Sequence, residues 1–178
     1  MATRTVRRRV ASVVFAVFAG ILALGPTTGA ASPIYRIDHV ADGDTVTLTN
    51  GQRVRLVQID TPEVYFGVEC YGKRASAITK RLLPNGTRVR LLPEPASDPV
   101  DKYGRLLRYV VRVNGNVNIN LRLVAVGAAA PWFYDGERGR YATKLQTLAL
   151  RAKANRLGLW GACPRTRYDP SRGVNTVR

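Results

Sequence analysis

Histidine and cysteine are scarce in this sequence of 178 residues, which contains one histidine, His39, and two cysteines, Cys70 and Cys163. Neither cysteine has a histidine near it in the sequence, so we expect neither a zinc site nor a cysteine nucleophile. Acidic residues are also few: 12 stand against 28 lysines and arginines, and the formal net charge is +16. Such a charge attracts polyanions. The alternative interpretation is a basic, solvated surface that binds no partner.

Long apolar runs are absent except near the N-terminus. An apolar stretch at residues 10–24 follows three consecutive arginines at positions 7–9, and small residues come after it. This order is typical of a secretory signal peptide, which we assign to residues 1–31, with cleavage near Ala30 or Ala31. The run is short for a membrane span of about 20 residues, so an uncleaved anchor is the less favoured alternative. The sequence therefore predicts a secreted or cell-surface protein.

The two cysteines both follow this leader, in a chain bound for an oxidising compartment. That setting favours a disulfide between Cys70 and Cys163. Because the loop between them is long, closing it would stabilise the fold by about 4 kcal/mol in the chain-entropy account. Two unpaired thiols are the alternative.

The rest of the sequence changes repeatedly between strand-like and helix-like patterns. Alternating apolar residues predict five strands, at residues 35–40, 45–49, 52–59, 87–92 and 106–113. Apolar residues at helical spacing predict three helices, at residues 68–83, 117–126 and 137–157. Asn50-Gly51 and Asn114-Gly115 are typical of hairpin turns. We therefore expect an α+β fold, a five-stranded β-barrel of the oligonucleotide-binding type packed with three α-helices.

Turn and tail signals set the limits of the expected domain. Residues 93–103 are rich in proline and aspartate and predict a mobile loop. Residues 164–178 are polar and rich in arginine, which predicts a disordered basic tail. The folded domain is therefore expected at residues 32–163.

Three polar clusters lie at the ends of predicted strands. They are Asp42-Gly43-Asp44-Thr45, then Arg55 with Asp60-Thr61-Pro62-Glu63, and then Asp101-Lys102-Tyr103-Gly104-Arg105. Each cluster alone is common in ordinary turns, where aspartate side chains bond to the backbone. Their joint presence in this order is what indicates a functional site.

The three clusters together contain the groups that phosphodiester hydrolysis requires. Asp44 and Asp60 are joined through one hairpin, so their carboxylates can converge on a hard cation such as calcium. Glu63 is placed to orient or deprotonate a water molecule. Arg55 and Arg105 can clamp phosphoryl oxygens in a bidentate manner. The clusters therefore predict a metal-dependent phosphodiesterase.

These motifs resemble those of the staphylococcal nuclease family. The resemblance rests on Asp-Gly-Asp-Thr, Arg-Leu-x-x-Ile-Asp-Thr-Pro-Glu and Asp-Lys-Tyr-Gly-Arg, and it extends from about Tyr35 to Trp160. It implies an oligonucleotide-binding barrel with three helices. It also implies a calcium-dependent endonuclease that cleaves DNA and RNA and leaves 3′-phosphates. The founding member lacks the two cysteines.

The resemblance also assigns roles to individual residues. Asp44 and Asp60 would be carboxylate ligands of calcium, and Thr61 would add its backbone carbonyl. Glu63 would be the general base or the residue that orients the attacking water. Arg55 and Arg105 would bind the scissile phosphate, and Lys102 and Tyr103 would contact the terminal phosphate. Asp42 would lie beside the metal.

The resemblance also implies an aromatic residue that stacks on a nucleotide base, and the candidates are Trp132, Phe133 and Tyr134, of which Phe133 and Tyr134 are preferred. Such stacking contributes about 1–3 kcal/mol per base, and a role as a core anchor is the alternative for each ring.

The expected partners are DNA and RNA substrates, with the protein acting as a monomer. The alternatives are a catalytically silent nucleic-acid-binding barrel and a cationic protein that adheres to anionic envelope polymers. Glu63 together with both arginines favours the enzyme.

Overall fold

The structure is a computed structural model that describes residues 32–65, 67–170 and 174–175. The predicted signal peptide lies outside these residues. Within the described part of the chain, no helix is long and apolar enough to cross a membrane.

The described chain forms a barrel of short strands surrounded by helices. The strands are β1 (Ile34–Val40), β2 (Thr45–Leu48), β3 (Arg53–Leu56), β4 (Ile59–Asp60), β5 (Arg88–Pro93), β6 (Leu106–Arg112), β7 (Val117–Asn118), β8 (Ala130–Pro131), β9 (Tyr168–Asp169) and β10 (Val174–Asn175). The helices are α1 (Gly72–Leu82), α2 (Ile119–Ala125), α3 (Ala142–Ala154) and the single turn α4 (Leu159–Ala162).

Five strands close the barrel in the order β3-β2-β1-β5-β6, and a parallel pairing of β3 with β6 joins its two ends. The other neighbours in this order pair antiparallel. Closure leaves no unpaired sheet edge along most of the barrel. The expected α+β fold, an oligonucleotide-binding-type barrel with three helices, is therefore confirmed.

The barrel interior is filled by the alternating apolar residues that predicted the strands. Val46 and Leu48 of β2 and Val54 and Leu56 of β3 are at most 1 % exposed. The turn between these strands has Gly51 at a positive φ of 81°, the backbone conformation that a tight hairpin requires. This hairpin is therefore present as predicted.

The strand expected at residues 52–59 differs from the prediction, because it is interrupted at Val57 and Gln58. Gln58 has a positive φ of 60°, and its side chain accepts a hydrogen bond from Tyr109 Oη at 2.8 Å. Asn120 Nδ2 donates to the Val57 carbonyl at 2.8 Å. The chain then continues as β4, which pairs with β8. The break redirects the chain so that Asp60 comes close to β3.

Two helices begin later than predicted. α1 begins at Gly72 rather than residue 68, after Tyr71 in the left-handed conformation with φ 73°. α3 begins at Ala142 rather than residue 137. α2 and α3 pack on the barrel, and their apolar faces complete the core. The buried apolar residues of these two helices are Ile119, Leu123, Val124, Ala142, Leu145, Ala149 and Ala152.

Residues 164–170 of the expected basic tail fall within the described chain and make defined contacts there. Tyr168 is 7 % exposed and belongs to a small apolar cluster with Ala130, Leu159 and Cys163. Cys70 and Cys163 form a disulfide with a Cα–Cα distance of 6.0 Å. The composition of the tail hid this packing, because a single buried aromatic residue and one cysteine anchor an otherwise polar segment.

Candidate active site

The turn between β1 and β2 carries the first predicted cluster. The Asp44 N–H donates to Asp42 Oδ1 at 3.0 Å, which is the local bond that aspartate makes in turns. Thr79 Oγ1 of α1 donates to the Gly43 carbonyl at 2.6 Å. A Cβ at Gly43 would overlap the Thr61 side chain. Glycine is therefore required between the two aspartates, because it lets the segment that follows β4 approach this turn.

Asp44 and Asp60 converge on the guanidinium of Arg55. Arg55 Nη2 lies 3.2 Å from Asp44 Oδ2 and 3.0 Å from Asp60 Oδ1. Arg55 Nη1 donates to the carbonyls of Leu56 and Ile59 at 2.8 and 2.9 Å. The break between β3 and β4 makes these contacts possible, since it folds Asp60 back beside Arg55. Both carboxylates and the guanidinium are about nine-tenths buried.

Thr61 connects the two acidic clusters directly. Its N–H and its Oγ1 both donate to Asp44 Oδ2 at 3.0 Å. Asp44 and Thr61 are 6 % and 4 % exposed. The predicted ligand set of Asp44, Asp60 and Thr61 is thus brought together in one place.

The electrostatics of this site are dominated by carboxylates. Burial raises the pKa of Asp44 above its usual range, against the opposing effect of Arg55. Burial also raises the pKa of Glu63, and the charges of Asp44, Asp60 and Asp42 raise it further. The pKa of Arg55 is raised because the neighbouring aspartates outweigh the effect of its burial. Negative charge therefore accumulates here beyond what one arginine balances.

This donor set fits a hard divalent cation. Two buried carboxylates within reach of one guanidinium nitrogen are oxygen ligands of the type that calcium prefers. Within the described residues, no group of three or more histidines, cysteines, aspartates or glutamates is arranged to hold a metal. A cation bound by Asp44 and Asp60 would therefore also need a backbone carbonyl and water molecules, which calcium commonly accepts.

The third predicted cluster folds around Asp101. Asp101 Oδ1 accepts hydrogen bonds from the N–H groups of Tyr103 and Arg105 at 2.9 and 3.0 Å. Asp101 Oδ2 accepts from Arg105 Nε at 2.7 Å. Arg105 Nη1 donates to Thr45 Oγ1 at 3.3 Å, and Thr45 Oγ1 donates to Asp44 Oδ1 at 3.3 Å. A continuous chain of polar contacts therefore links Arg105 to the two aspartates.

An open groove of about 320 Å³ lies beside this cluster and is lined by Arg53, Tyr103 and Arg105. Tyr103 is 57 % exposed, and Lys102 Nζ and the Arg105 guanidinium lie 5.2 and 5.3 Å from its ring centroid. Arg53 Nη2 donates to the Tyr103 carbonyl at 2.8 Å. Arg53 was not among the predicted site residues, and the structure adds it to this basic groove.

The aromatic candidates separate clearly in the structure. Phe133 is 2 % exposed and belongs to the main core, and the Arg138 guanidinium lies 4.9 Å from its ring centroid. The predicted stacking role of Phe133 is therefore wrong, because a buried ring offers no face to a base. Tyr134 is 64 % exposed. Trp132 lies between them, with its ring 5.7 Å from Tyr134 and 5.8 Å from the Arg55 guanidinium.

Sequence reasoning missed two charged residues at the edge of the site. Arg167 forms a bidentate pair with Glu69 through Nε at 2.8 Å and Nη2 at 3.1 Å. Arg167 Nη2 also lies 3.5 Å from Asp60 Oδ2. Glu69 Oε2 accepts the Glu63 N–H at 2.9 Å. Burial raises the pKa of Glu69, but hydrogen bonds from Arg167 and from the Glu63 backbone lower it overall.

Comparison with known proteins agrees with this geometry. Residues 53–162 match the family model described as staphylococcal nuclease homologue. The chain is 39 % identical to a thermonuclease of Staphylococcus intermedius and 33 % identical to a thermonuclease of Staphylococcus hyicus, each over 132 residues that cover 71 % of this chain and 75 % of the relative. It is 32 % identical to the endonuclease YncB of Bacillus subtilis strain 168 over 145 residues, 78 % of this chain and 65 % of the relative.

The family match includes Arg55, the cluster from Asp60 to Glu63, and Arg105. The relatives are nucleases by their names, and the polar groups described above are those that phosphodiester hydrolysis needs. The protein is therefore a nuclease, and the chain belongs to the staphylococcal nuclease family.

Proposed function

We propose that the protein is an exported, calcium-dependent endonuclease that cleaves both DNA and RNA, leaves 3′-phosphate products and acts as a monomer. The observation that supports the proposal best is the convergence of Asp44 and Asp60 at one buried position next to Glu63. Calcium dependence is general in the thermonuclease family, and the donor set fits that ion. Export is proposed from the arginine-led apolar leader at residues 1–31.

The metal would be held by the carboxylates of Asp44 and Asp60 and by the backbone carbonyl of Thr61. When bound, calcium would polarise the phosphoryl group and offset its developing negative charge. Asp42 contacts the Asp44 backbone, so its role would be to fix the orientation of Asp44 beside the ion. Buried carboxylates that repel one another gain most from such a cation, because it removes the cost of crowding their charges.

Glu63 would act on the attacking water. Its side chain is half-buried, and burial raises the pKa of this carboxyl, which is the direction that suits a general base. Water adds to phosphorus as Glu63 takes its proton, and the bond from phosphorus to the 5′ oxygen breaks. That oxygen leaves and takes up a proton, and the phosphate stays on the 3′ oxygen.

Arg55 and Arg105 would stabilise the charge on the phosphoryl oxygens. Arg55 is fixed by two backbone carbonyls and two carboxylates, so its charge needs little reorganisation during the reaction. Arg105 is partly exposed beside the groove, where Lys102 and Tyr103 would contact a terminal phosphate. Tyr134 has the exposed ring that stacking on a base requires.

The proposal is tested by incubating the protein with plasmid DNA and with RNA, in calcium and in a calcium chelator. We expect degradation of both polymers in calcium and none in chelator. The products should become primers for a DNA polymerase only after phosphatase treatment, since a 3′-phosphate blocks extension. Activity in the culture medium rather than in the cell lysate supports export.

Glu63→Gln is the matched variant, because it keeps the size of the side chain and removes its basicity. We expect kcat to fall by about 10²- to 10⁴-fold, the usual contribution of a general base, while binding of DNA measured in chelator is unchanged. Degradation that persists in chelator would contradict the metal-dependent mechanism. Nearly normal turnover of Glu63→Gln would contradict the role given to Glu63.

A further inference from the structure

The disulfide places two distant charged residues side by side. Cys70 directly follows Glu69, and Cys163 precedes Arg167 by four residues. The two cysteines are bonded across a sequence separation of 93 residues. Tyr168, the next residue after Arg167, is buried against the disulfide. The C-terminal segment is therefore fastened to the start of α1 at two adjacent points.

Arg167 uses this position to hold the Glu69 carboxylate. It makes two hydrogen bonds to Glu69, and its guanidinium lies 4.5 Å from the centroid of the Tyr168 ring. The Tyr168 hydroxyl donates to the same Glu69 carboxylate at 3.4 Å. A planar guanidinium that is bidentate and stacked has one preferred orientation, so it fixes Glu69 more firmly than a single contact would.

Glu69 in turn holds the backbone of Glu63 on both sides. The Glu63 N–H donates to Glu69 Oε2 at 2.9 Å, and the Glu63 carbonyl accepts from the Glu69 N–H at 2.9 Å. A Cβ at Gly72 would overlap the Glu63 carbonyl, so the start of α1 also packs closely against this segment. Glu69 thus joins the two ends of the segment from Glu63 to Glu69, because its side chain and its backbone N–H both bond to the Glu63 backbone.

We propose that Arg167 is a positioning residue of the nuclease: through Glu69 it fixes the backbone that carries Glu63, and the Cys70–Cys163 disulfide holds Arg167 in place. Its guanidinium also lies beside Asp60 Oδ2, whereas Arg55 contacts Asp60 Oδ1. The inference rests on the proposed role of Glu63. No comparable role was expected from the sequence, where Arg167 falls in the predicted tail.

The first test compares Arg167→Ala with Arg165→Ala, which removes the same charge from an exposed position in the same segment. We expect kcat of Arg167→Ala to fall by about 10- to 100-fold, the usual effect of losing a residue that orients a functional group, with KM little changed. Arg167→Lys keeps a charge without the bidentate contact and should lie between. Arg165→Ala should stay within about twofold of the wild type. Equal kcat values for the two alanine variants would overturn the proposal.

The second test does not depend on activity. Amide hydrogen exchange at Glu63 is measured in the calcium-free protein, with thermal unfolding as a check that each variant is folded. Because the Glu63 N–H is bonded to Glu69, we expect faster exchange in Arg167→Ala and no change in Arg165→Ala. Unchanged exchange at Glu63 in Arg167→Ala would overturn the proposal even if activity fell.

A double variant separates this inference from the proposed function. If Arg167 acts through Glu63, Arg167→Ala should lower kcat much less in the Glu63→Gln background than in the wild type. An equal loss in both backgrounds would show that Arg167 acts elsewhere and would overturn the inference. If Glu63→Gln alone were fully active, the proposed base would fail, and the exchange measurement would still decide whether Arg167 positions this segment.

Discussion

Arg55 illustrates how much a single side chain does in this site. It lies in β3 between Val54 and Leu56, which are fully buried, and its own side chain is nine-tenths buried. It balances part of the charge of Asp44 and Asp60, and it also ties β3 to β4 through two backbone carbonyls. Its contacts with the two carboxylates and with the two carbonyls therefore use different nitrogens of one guanidinium.

Replacing Arg55 by lysine should therefore destabilise the protein while keeping the charge. A lysine offers one nitrogen and cannot reach two carbonyls and two carboxylates together. We expect Arg55→Lys to lower the free energy of unfolding by about 1–3 kcal/mol, the effect of leaving buried polar groups unpaired. Urea denaturation in chelator measures it. The control is Arg53→Lys, an exposed position in the same strand. Equal denaturation midpoints for the two variants would contradict this account.

At the residue scale the sequence predicted that the acidic clusters converge, but it misplaced Phe133 and gave no sign of Arg53 or of the pair of Glu69 with Arg167. Asp44, Asp60 and Arg55 were predicted together because their motifs are short and lie next to strand ends. Phe133 was misplaced because an apolar aromatic in a run of three gives no signal of which ring faces solvent. Arg167 was missed because its partner, Glu69, is 98 residues away, and only the folded chain brings them together.

Glu94 connects the loop after β5 to the segment before α3. It is 6 % exposed, and it accepts hydrogen bonds from the N–H groups of Ala96 and Arg140 and from Tyr109 Oη. A Cβ at Gly139 would overlap its carboxylate. The loop at residues 93–103, which leads to Lys102 and Arg105, is therefore anchored at its first residues.

Glu94→Gln should destabilise the fold in a pH-dependent way. Burial raises the pKa of Glu94, but the hydrogen bonds to its carboxylate lower it overall. The folded pKa thus lies below the unfolded value of about 4.5, so the ionised carboxylate contributes stability above pH 4.5 that is lost as the pH falls through the folded pKa. We expect the variant to be less stable by about 1–3 kcal/mol at neutral pH.

The measurement is urea denaturation of the wild type and of Glu94→Gln between neutral and acidic pH. The difference in stability between them should shrink as the pH falls below about 4.5, the ordinary glutamate value. Glu137→Gln is the control, since it removes the same charge from an exposed position nearby. A difference in the free energy of unfolding that does not depend on pH would show that the ionised form of Glu94 does not stabilise the fold.

The five barrel strands and the helices α1, α2 and α3 were predicted in type and order, and the errors fall where tertiary contacts decide. The strand at residues 52–59 was expected to run unbroken because its apolar alternation continues. It breaks because Tyr109 and Asn120 offer side-chain partners to the turn at Val57 and Gln58. α1 begins later than predicted, and the residues just before it make other contacts: Glu69 pairs with Arg167, and Cys70 forms the disulfide. Such partners come from distant parts of the chain and leave no local pattern.

At the scale of the molecule, an acidic site lies within a strongly basic protein. The chain has 12 acidic residues and a formal net charge of +16, yet Asp42, Asp44, Asp60, Glu63 and Glu69 are gathered at one place. The basic surface attracts the polyanionic substrate over distance. The acid cluster would repel the same substrate at contact, and a bound cation together with Arg55 and Arg105 would remove that repulsion. Binding and chemistry thus rely on opposite charges.

The disulfide links the stability of the whole molecule to its activity. Replacing both Cys70 and Cys163 by serine should lower the free energy of unfolding by about 2–4 kcal/mol, because the unfolded chain regains the freedom of a long loop. The variant should also lose kcat by a factor similar to that of Arg167→Ala, since the segment that carries Arg167 is no longer fastened. Denaturation by urea and steady-state kinetics at a temperature where the variant is folded measure the two effects.

Reduction of the wild type with dithiothreitol should reproduce both effects, and reduction of Arg167→Ala should reproduce only the loss of stability. The disulfide affects kcat only by holding Arg167 in place. Once the Arg167 side chain is removed, breaking the disulfide should therefore leave kcat unchanged. The serine variant gives the same comparison without a reductant, and combining it with Arg167→Ala completes the cycle. If reduced wild type kept full kcat while less stable, the disulfide would serve stability alone, and packing of Tyr168 would suffice to hold Arg167.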